Sequence, residues 1–255
     1  MSASGRHDLN CSDRQIKALP LCSSIVGYNT VSGISANQYV ALGTVFEAVD
    51  GTDVAIKDLV TVGNPVGGAN IGVSDQIWVW NTADAAWTKY FYYSGRGVTQ
   101  WRKIGGTTET TDTIRTGVTF FFCRSSSATG TTTLTLSGKV KELEGTSSFT
   151  VTANQLAFAS NPWPIVISVK DFGNYYTAGA PVGGANIGVS DQIWVWNTAD
   201  AAWTKYFYYS GRGVIQWRKN GETKETTDTI PAGIGFFFQR SSSATAPATI
   251  TFTNN

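Results

Sequence analysis

The stretch Pro65–Lys103, PVGGANIGVSDQIWVWNTADAAWTKYFYYSGRGVTQWRK, occurs twice in this chain. Pro181–Lys219 repeats it with one difference, Thr99 against Ile215. The offset of 116 residues, from Pro65 to Pro181, is too long for a solenoid unit and right for a domain. The chain is two copies of one module. Within the block, Gln76–Trp80 alternates: Ile77 and Val79 lie on one face, Gln76, Trp78 and Trp80 on the other. Asn81-Thr82-Ala83-Asp84 reverses the chain and Trp87–Tyr93 returns, predicting a hairpin with aromatic residues on both faces. Ser94-Gly95-Arg96-Gly97 turns again, and Gln100–Lys103 continues as a strand.

Working outward, the anchors Ser35–Gln38 against Thr152–Gln155, and Lys57-Asp58 against Lys170-Asp171, show that the duplication begins well before Pro65. Asp50-Gly51 between apolar runs reads as a hairpin turn. After the block come Thr113-Ile114, Thr119–Arg124 and Thr131–Leu136, the last matched by Ala248–Phe252. Each module thus carries at least seven short strands and no helical periodicity. The expected fold class is all-β: two tandem homologous sandwich or barrel domains of antiparallel strands. Their boundaries are 22–137 and 138–255, joined with almost no linker and preceded by a short extended N-terminal arm, 1–21. The arm contains the single histidine, His7. It reads either as a frayed terminus or as a strand that adds to a neighbouring subunit through Ile16, Ala18 and Leu21.

Composition narrows the function classes. Lys+Arg (19) balance Asp+Glu (18), which removes the electrostatic case for nucleic acid. No apolar run approaches a membrane span, and the N-terminus shows no secretory signal. Three cysteines leave one odd. A Cys11–Cys22 bridge and two reduced thiols fit equally well, and Cys123 is replaced by Gln239 in the second copy. No base–nucleophile pair or metal spacing is present, so no catalytic residues, cofactor or metal are expected. Asp75, Asp84 and Asp112, with Asp191, Asp200 and Asp228, sit beside turns, where Asp accepts backbone hydrogen bonds. A carboxylate pair for glycoside hydrolysis is the minority reading of them. Asp50, Asp53 and Asp58 lack a calcium-loop register.

The order NQLAFASNPWP, SDQIWVWNTADAAWTKYFYY, TIPAGIGFFFQR and ATITFT resembles the β-rich repeat of large secreted or surface proteins of Verrucomicrobia and related bacteria. It is also similar to modules near the ends of secreted Bacteroidetes proteins. The resemblance covers nearly all of module two and the latter half of module one. Module one lacks the Asn-Pro-Trp-Pro turn and has Arg115-Thr116-Gly117 where module two has Pro231-Ala232-Gly233. The resemblance implies an extracellular or cell-surface structural setting.

Nine Trp, 10 Tyr and 13 Phe are the compositional excess, and one core cannot easily bury both faces of a Trp-bearing strand. The expected assembly or ligand face is Trp78, Trp80, Tyr90, Tyr92 and Trp101, with Trp194, Trp196, Tyr206, Tyr208 and Trp217 in the second copy. Such a face meets either protein or a sugar ring. The favoured function is a non-enzymatic structural subunit that polymerises head to tail with itself into a fibre or surface layer, its arm donating a strand. The alternative is a tandem carbohydrate-binding pair taking a polysaccharide.

Overall fold

A computed structural model describes residues 26–141, 145–163 and 165–254. The arm, with Ile16, Ala18 and Leu21 and the Cys11–Cys22 pair, lies outside the described residues. The chain is all-β, and its helical content among the described residues is four short 3₁₀ turns. No described helix is long and apolar enough to cross a membrane.

Module one has a five-stranded antiparallel sheet in the spatial order Tyr39–Gly43, Thr119–Cys123, Gln76–Asn81, Ala86–Gly95, Val98–Lys103. Module two repeats it with Leu156–Ala159, Phe236–Gln239, Gln192–Asn197, Ala202–Gly211 and Val214–Lys219. A second, smaller sheet packs on each. In module one it joins Val26–Ile34 to Thr132–Val140, Phe46–Glu47 and Thr61–Val62. In module two it joins Gly145–Val151, Ala248–Asn254 and Tyr176–Ala178. These sheets are open, so each module is a sandwich and not a closed barrel.

The alternation of the sequence explains the layers. Leu42, Ile77, Phe120 and Phe122 of the large sheet meet Ile34, Leu134 and Leu136 of the small one. Ile193, Phe236 and Phe238 meet Val151, Ile250 and Phe252 in the same way. Thr132–Val140 buries every second residue over most of its length, as a strand with one covered face must. Thr119–Cys123 is buried at all five positions. A central strand reads as a continuous apolar run when both its faces are covered, and FFFC is such a run.

The hairpin is as the sequence predicts, with Ile77 opposite Tyr90 and Trp80 opposite Trp87. Asn81 builds its turn: Oδ1 accepts from the Ala83 N–H at 3.0 Å, and Nδ2 donates to Asp84. Ala85 completes it at φ 48°, and Ala201 repeats this at 47°. Arg96 and Gly97, both at positive φ, make the tighter second turn.

Two expectations change. Asp50-Gly51 does make a turn, closed by the Ala48 N–H on the Thr52 carbonyl at 3.1 Å. Its flanks do not pair with each other. Phe46–Glu47 pairs with Lys139–Val140, and Val54–Ala55 with Thr113–Ile114. The last strand of module one also runs past the boundary at 137, to Val140, because Lys139 and Val140 pair with Glu47 and Phe46.

Candidate functional site

The outer faces of the two large sheets, the Trp faces, lie against each other. A third apolar cluster, distinct from the two module cores, contains Ala41, Phe121, Cys123, Phe158 and Phe237, with Trp78, Trp80, Trp87, Trp194, Trp196 and Trp203 packed around it. The contact is reciprocal. Trp80 Nε1 donates to the Leu156 carbonyl at 2.9 Å, and Trp196 Nε1 donates to the Tyr39 carbonyl at 2.7 Å. Tyr39 and Leu156 follow the matching Gln38 and Gln155, so each bond is the other's copy. The ring pairs repeat too: Trp80–Phe237 at 5.5 Å and 88°, Trp196–Phe121 at 5.5 Å and 86°. Backbone bonds close the same boundary, Gly43 N–H to Gly233 O and Ser160 N–H to Gly117 O, both at 2.9 Å. The two modules are therefore related by a pseudo-twofold, as in an isologous dimer. Edge-to-face geometry suits the ring quadrupoles and adds about 0.5–1.5 kcal/mol per pair beyond burial.

Of the expected face, Trp78, Trp80, Trp194 and Trp196 are in this interface. Tyr90, Tyr92 and Trp101 are not: Tyr90 and Trp101 are buried in the core of module one, with Tyr92 packed against it. Tyr206, Tyr208 and Trp217 take the same places in module two, Trp217 at 1% exposure. The reason is register. Tyr90 lies opposite Ile77, and Tyr92 opposite Trp101, so all three share the core face. The residues that do share the Trp face are Trp87, opposite Trp80, and Trp203, opposite Trp196. Sequence reasoning missed them, together with Phe121, Phe237, Phe158 and Tyr39; the alternation from Trp80 through the turn carries the signal for Trp87.

Between the modules the rings line a cleft of about 380 Å³, with Leu156 as its aliphatic member. The Trp78 and Trp194 indoles give their N–H to Gln76 and Gln192. Lys89 and Lys205 cover their ring faces, the ammonium groups 3.6 and 3.7 Å from the centroids. A second cleft, of about 820 Å³, is more polar. Glu47, Asp53, Asn81, Arg115 and Lys141 line it beside Trp80 and Tyr90.

The acidic candidates have structural partners. Asp75 is fully buried, and its Oδ2 meets Arg124 Nη1 at 2.6 Å while accepting the Val66 N–H; Oδ1 accepts the Ser125 N–H. Asp191 repeats this with Arg240, Val182 and Ser241, and adds the Tyr176 hydroxyl at 2.8 Å. Burial, with Asp191 beside it, pushes the Tyr176 hydroxyl well above its ordinary pKa. Asp112 accepts from Lys103 at 2.9 Å and from the Tyr90 hydroxyl at 2.7 Å, which together hold its carboxyl below the usual range. Asp228 accepts from Tyr206 in the same way. Asp84 and Asp200 hold hairpin turns. Asp50 accepts both the N–H and the hydroxyl of Thr52. Among the described residues no three His, Cys, Asp or Glu side chains gather as metal ligands. Cys123 is a free thiol whose burial pushes its pKa well up.

No protein-family model matches the chain, and no curated protein sequence and no solved structure matches it.

Proposed function

We propose that this chain is a non-enzymatic structural protein, a subunit of an extracellular fibre or surface layer that adds copies head to tail. The observation that carries the reading is a pair of unpaired sheet edges. Val26–Ile34 and Gly145–Val151 each lie at the end of their sheet, with one ladder side open among the described residues. Tyr28, on the first of them, is 77% exposed. Such edges accept an added strand, which gains main-chain hydrogen bonds along its length. The arm that precedes Val26 supplies one, and the Gly145–Val151 edge of the next copy receives it. The buried ion pairs of Asp75 with Arg124 and of Asp191 with Arg240 support a structural role for those carboxylates, since removing one member leaves the other charge buried and unpaired. Electron microscopy of the full chain is expected to show fibres or sheets. Removal of residues 1–21 should return the scattering mass to that of a single chain. Full-length protein that stays single at high concentration overturns the reading.

The polar 820 Å³ cleft favours a second reading, polysaccharide binding, because charged and amide groups there surround an aromatic wall. The smaller ring-lined cleft supports it less: four of its six indole N–H groups are engaged within the chain, leaving sugar hydroxyls few partners. Calorimetric titration with soluble polysaccharides separates the readings, with heat of binding expected only under the second.

A further inference from the structure

Where the pseudo-twofold brings equivalent positions face to face, the two modules differ. Gly43 of module one faces Ser160, its counterpart in module two. A Cβ placed at 43 would collide with the Ser160 side chain. Thr119 of module one faces Gly235, its own counterpart, and a Cβ placed at 235 would fall inside the Thr119 side chain. Each pair is one knob and one hole, and the knob changes sides between pairs. Ala41 and Phe158 form a third mismatch, again at equivalent positions: Phe158 stacks on Phe237 at 4.3 Å and reaches Phe121 at 5.1 Å across the boundary.

The knobs serve by shape. The hydroxyls of Thr119 and Ser160 are both buried and have no hydrogen-bond partner among the described residues. A buried unpartnered hydroxyl costs stability, and glycine fits the same site in the other module. What each hydroxyl-bearing side chain adds is volume on one side of the boundary. Two copies of module one set together this way would drive Thr119 into Thr119 and leave a gap between two Ala41 residues. Two copies of module two would drive Ser160 into Ser160.

We infer that the Trp face is a keyed heterotypic docking surface: module one accepts module two and neither accepts itself, whether the partner lies in the same chain or in a second copy. Within one chain the short connection keeps the faces at an effective concentration of order millimolar, so closure on itself is the default for a dilute chain. Chains that fold together at comparable local concentration can exchange modules, and the key then fixes the direction, one to two, head to tail. This deepens the assembly reading and rests on it for its biological use, although the pairing rule does not need the arm.

The test uses full chains. In Gly43→Arg the new side chain points at module two, and in Gly235→Arg at module one. The atoms nearest a Cβ at either site belong to the opposite module, so each substitution wedges the interface and leaves its own module's packing intact. The first variant keeps a sound module two and the second a sound module one. Each alone is expected to remain at the single-chain mass of 27.4 kDa, and an equimolar mixture to move to twice that mass. Strand content by circular dichroism shows whether each variant is folded. If either is not, Thr119→Arg and Ser160→Arg place the same wedges from the opposite sides. Failure of both mixtures to dimerise overturns the inference, and so does self-dimerisation of any variant as readily as the mixture. Dimers from the mixture with no fibres from the native chain leave the pairing rule standing and remove the assembly reading; fibres without such dimers do the reverse.

Discussion

The Trp80 indole N–H ends on the carbonyl of Leu156, 2.9 Å away in the other module, and Trp196 returns the bond to Tyr39. Both bonds lie partly buried in an apolar, ring-lined boundary. Trp80→Phe and Trp196→Phe keep most of the ring and remove the donor. Each is expected to lower stability by about 0.5–1.5 kcal/mol, the net worth of one intramolecular hydrogen bond, since the acceptor is only partly buried. The reciprocal geometry makes the two losses equal within error, which urea titration of both variants measures.

Asp75→Asn leaves Arg124 buried without its counter-charge, and Asp191→Asn does the same to Arg240. Breaking a buried pair by removing one member typically costs about 3–5 kcal/mol. The Asp191 variant is expected to lose more, because the Tyr176 hydroxyl also bonds to that carboxylate. Thermal unfolding checks the order of the two. Equal melting points for the variants and the native chain would remove the structural assignment of these carboxylates.

Ala85 and Ala201 sit in the left-handed region, at φ 48° and 47°, where a Cβ crowds the following carbonyl. Glycine takes this conformation without that crowding, against a larger entropy in the unfolded chain. Ala85→Gly is expected to stabilise by about 0.5–1 kcal/mol, and the double variant with Ala201→Gly by about twice as much. Denaturant midpoints provide the measurement.

Much of this architecture was legible in the residues. The repeat marked two modules, and the alternation Ile77/Val79 against Trp78/Trp80 called for cover on both faces of one strand. Thr119–Arg124 read as a strand, its central place in the sheet being visible only in the fold. The partner of the Trp face was not legible, because a strand covered by its own sheet pair and one covered by a second module share the same pattern. Tyr90, Tyr92 and Trp101 were assigned to the wrong face for a related reason. Side-chain size says nothing of direction, and direction depends on the register that the Asn81–Ala85 turn sets. Differences such as Thr119 against Gly235 look like drift in a sequence; they gain meaning only when the fold sets them face to face.

Asp112 gives a pH dependence with a definite sign. The Lys103 ammonium, followed by the Tyr90 hydroxyl, holds its folded-state pKa below the ordinary value of 3.8. A depressed carboxyl pKa contributes stability above the unfolded value, and that contribution fades as the pH falls through the depressed one. The native chain should therefore be more stable than Asp112→Asn at neutral pH, with the gap narrowing below about pH 4. Melting curves of both proteins across that range decide it; a gap that stays constant into strong acid would mean that the charge is not the cause.

Thr119 and Gly235 offer a closed cycle. Gly235→Thr alone sets threonine against threonine at a boundary already too close for an added Cβ, and overpacking of this kind costs about 1–3 kcal/mol. Thr119→Gly alone removes the knob and leaves a void opposite an existing glycine, again destabilising, though it also removes a buried hydroxyl without a partner. The double variant moves the knob from one module to the other and restores one knob and one hole. Its loss should be clearly smaller than the sum of the single losses, a coupling of about 1–2 kcal/mol for residues in direct contact. Additive losses would show that the two positions act independently and that the boundary does not depend on their matching.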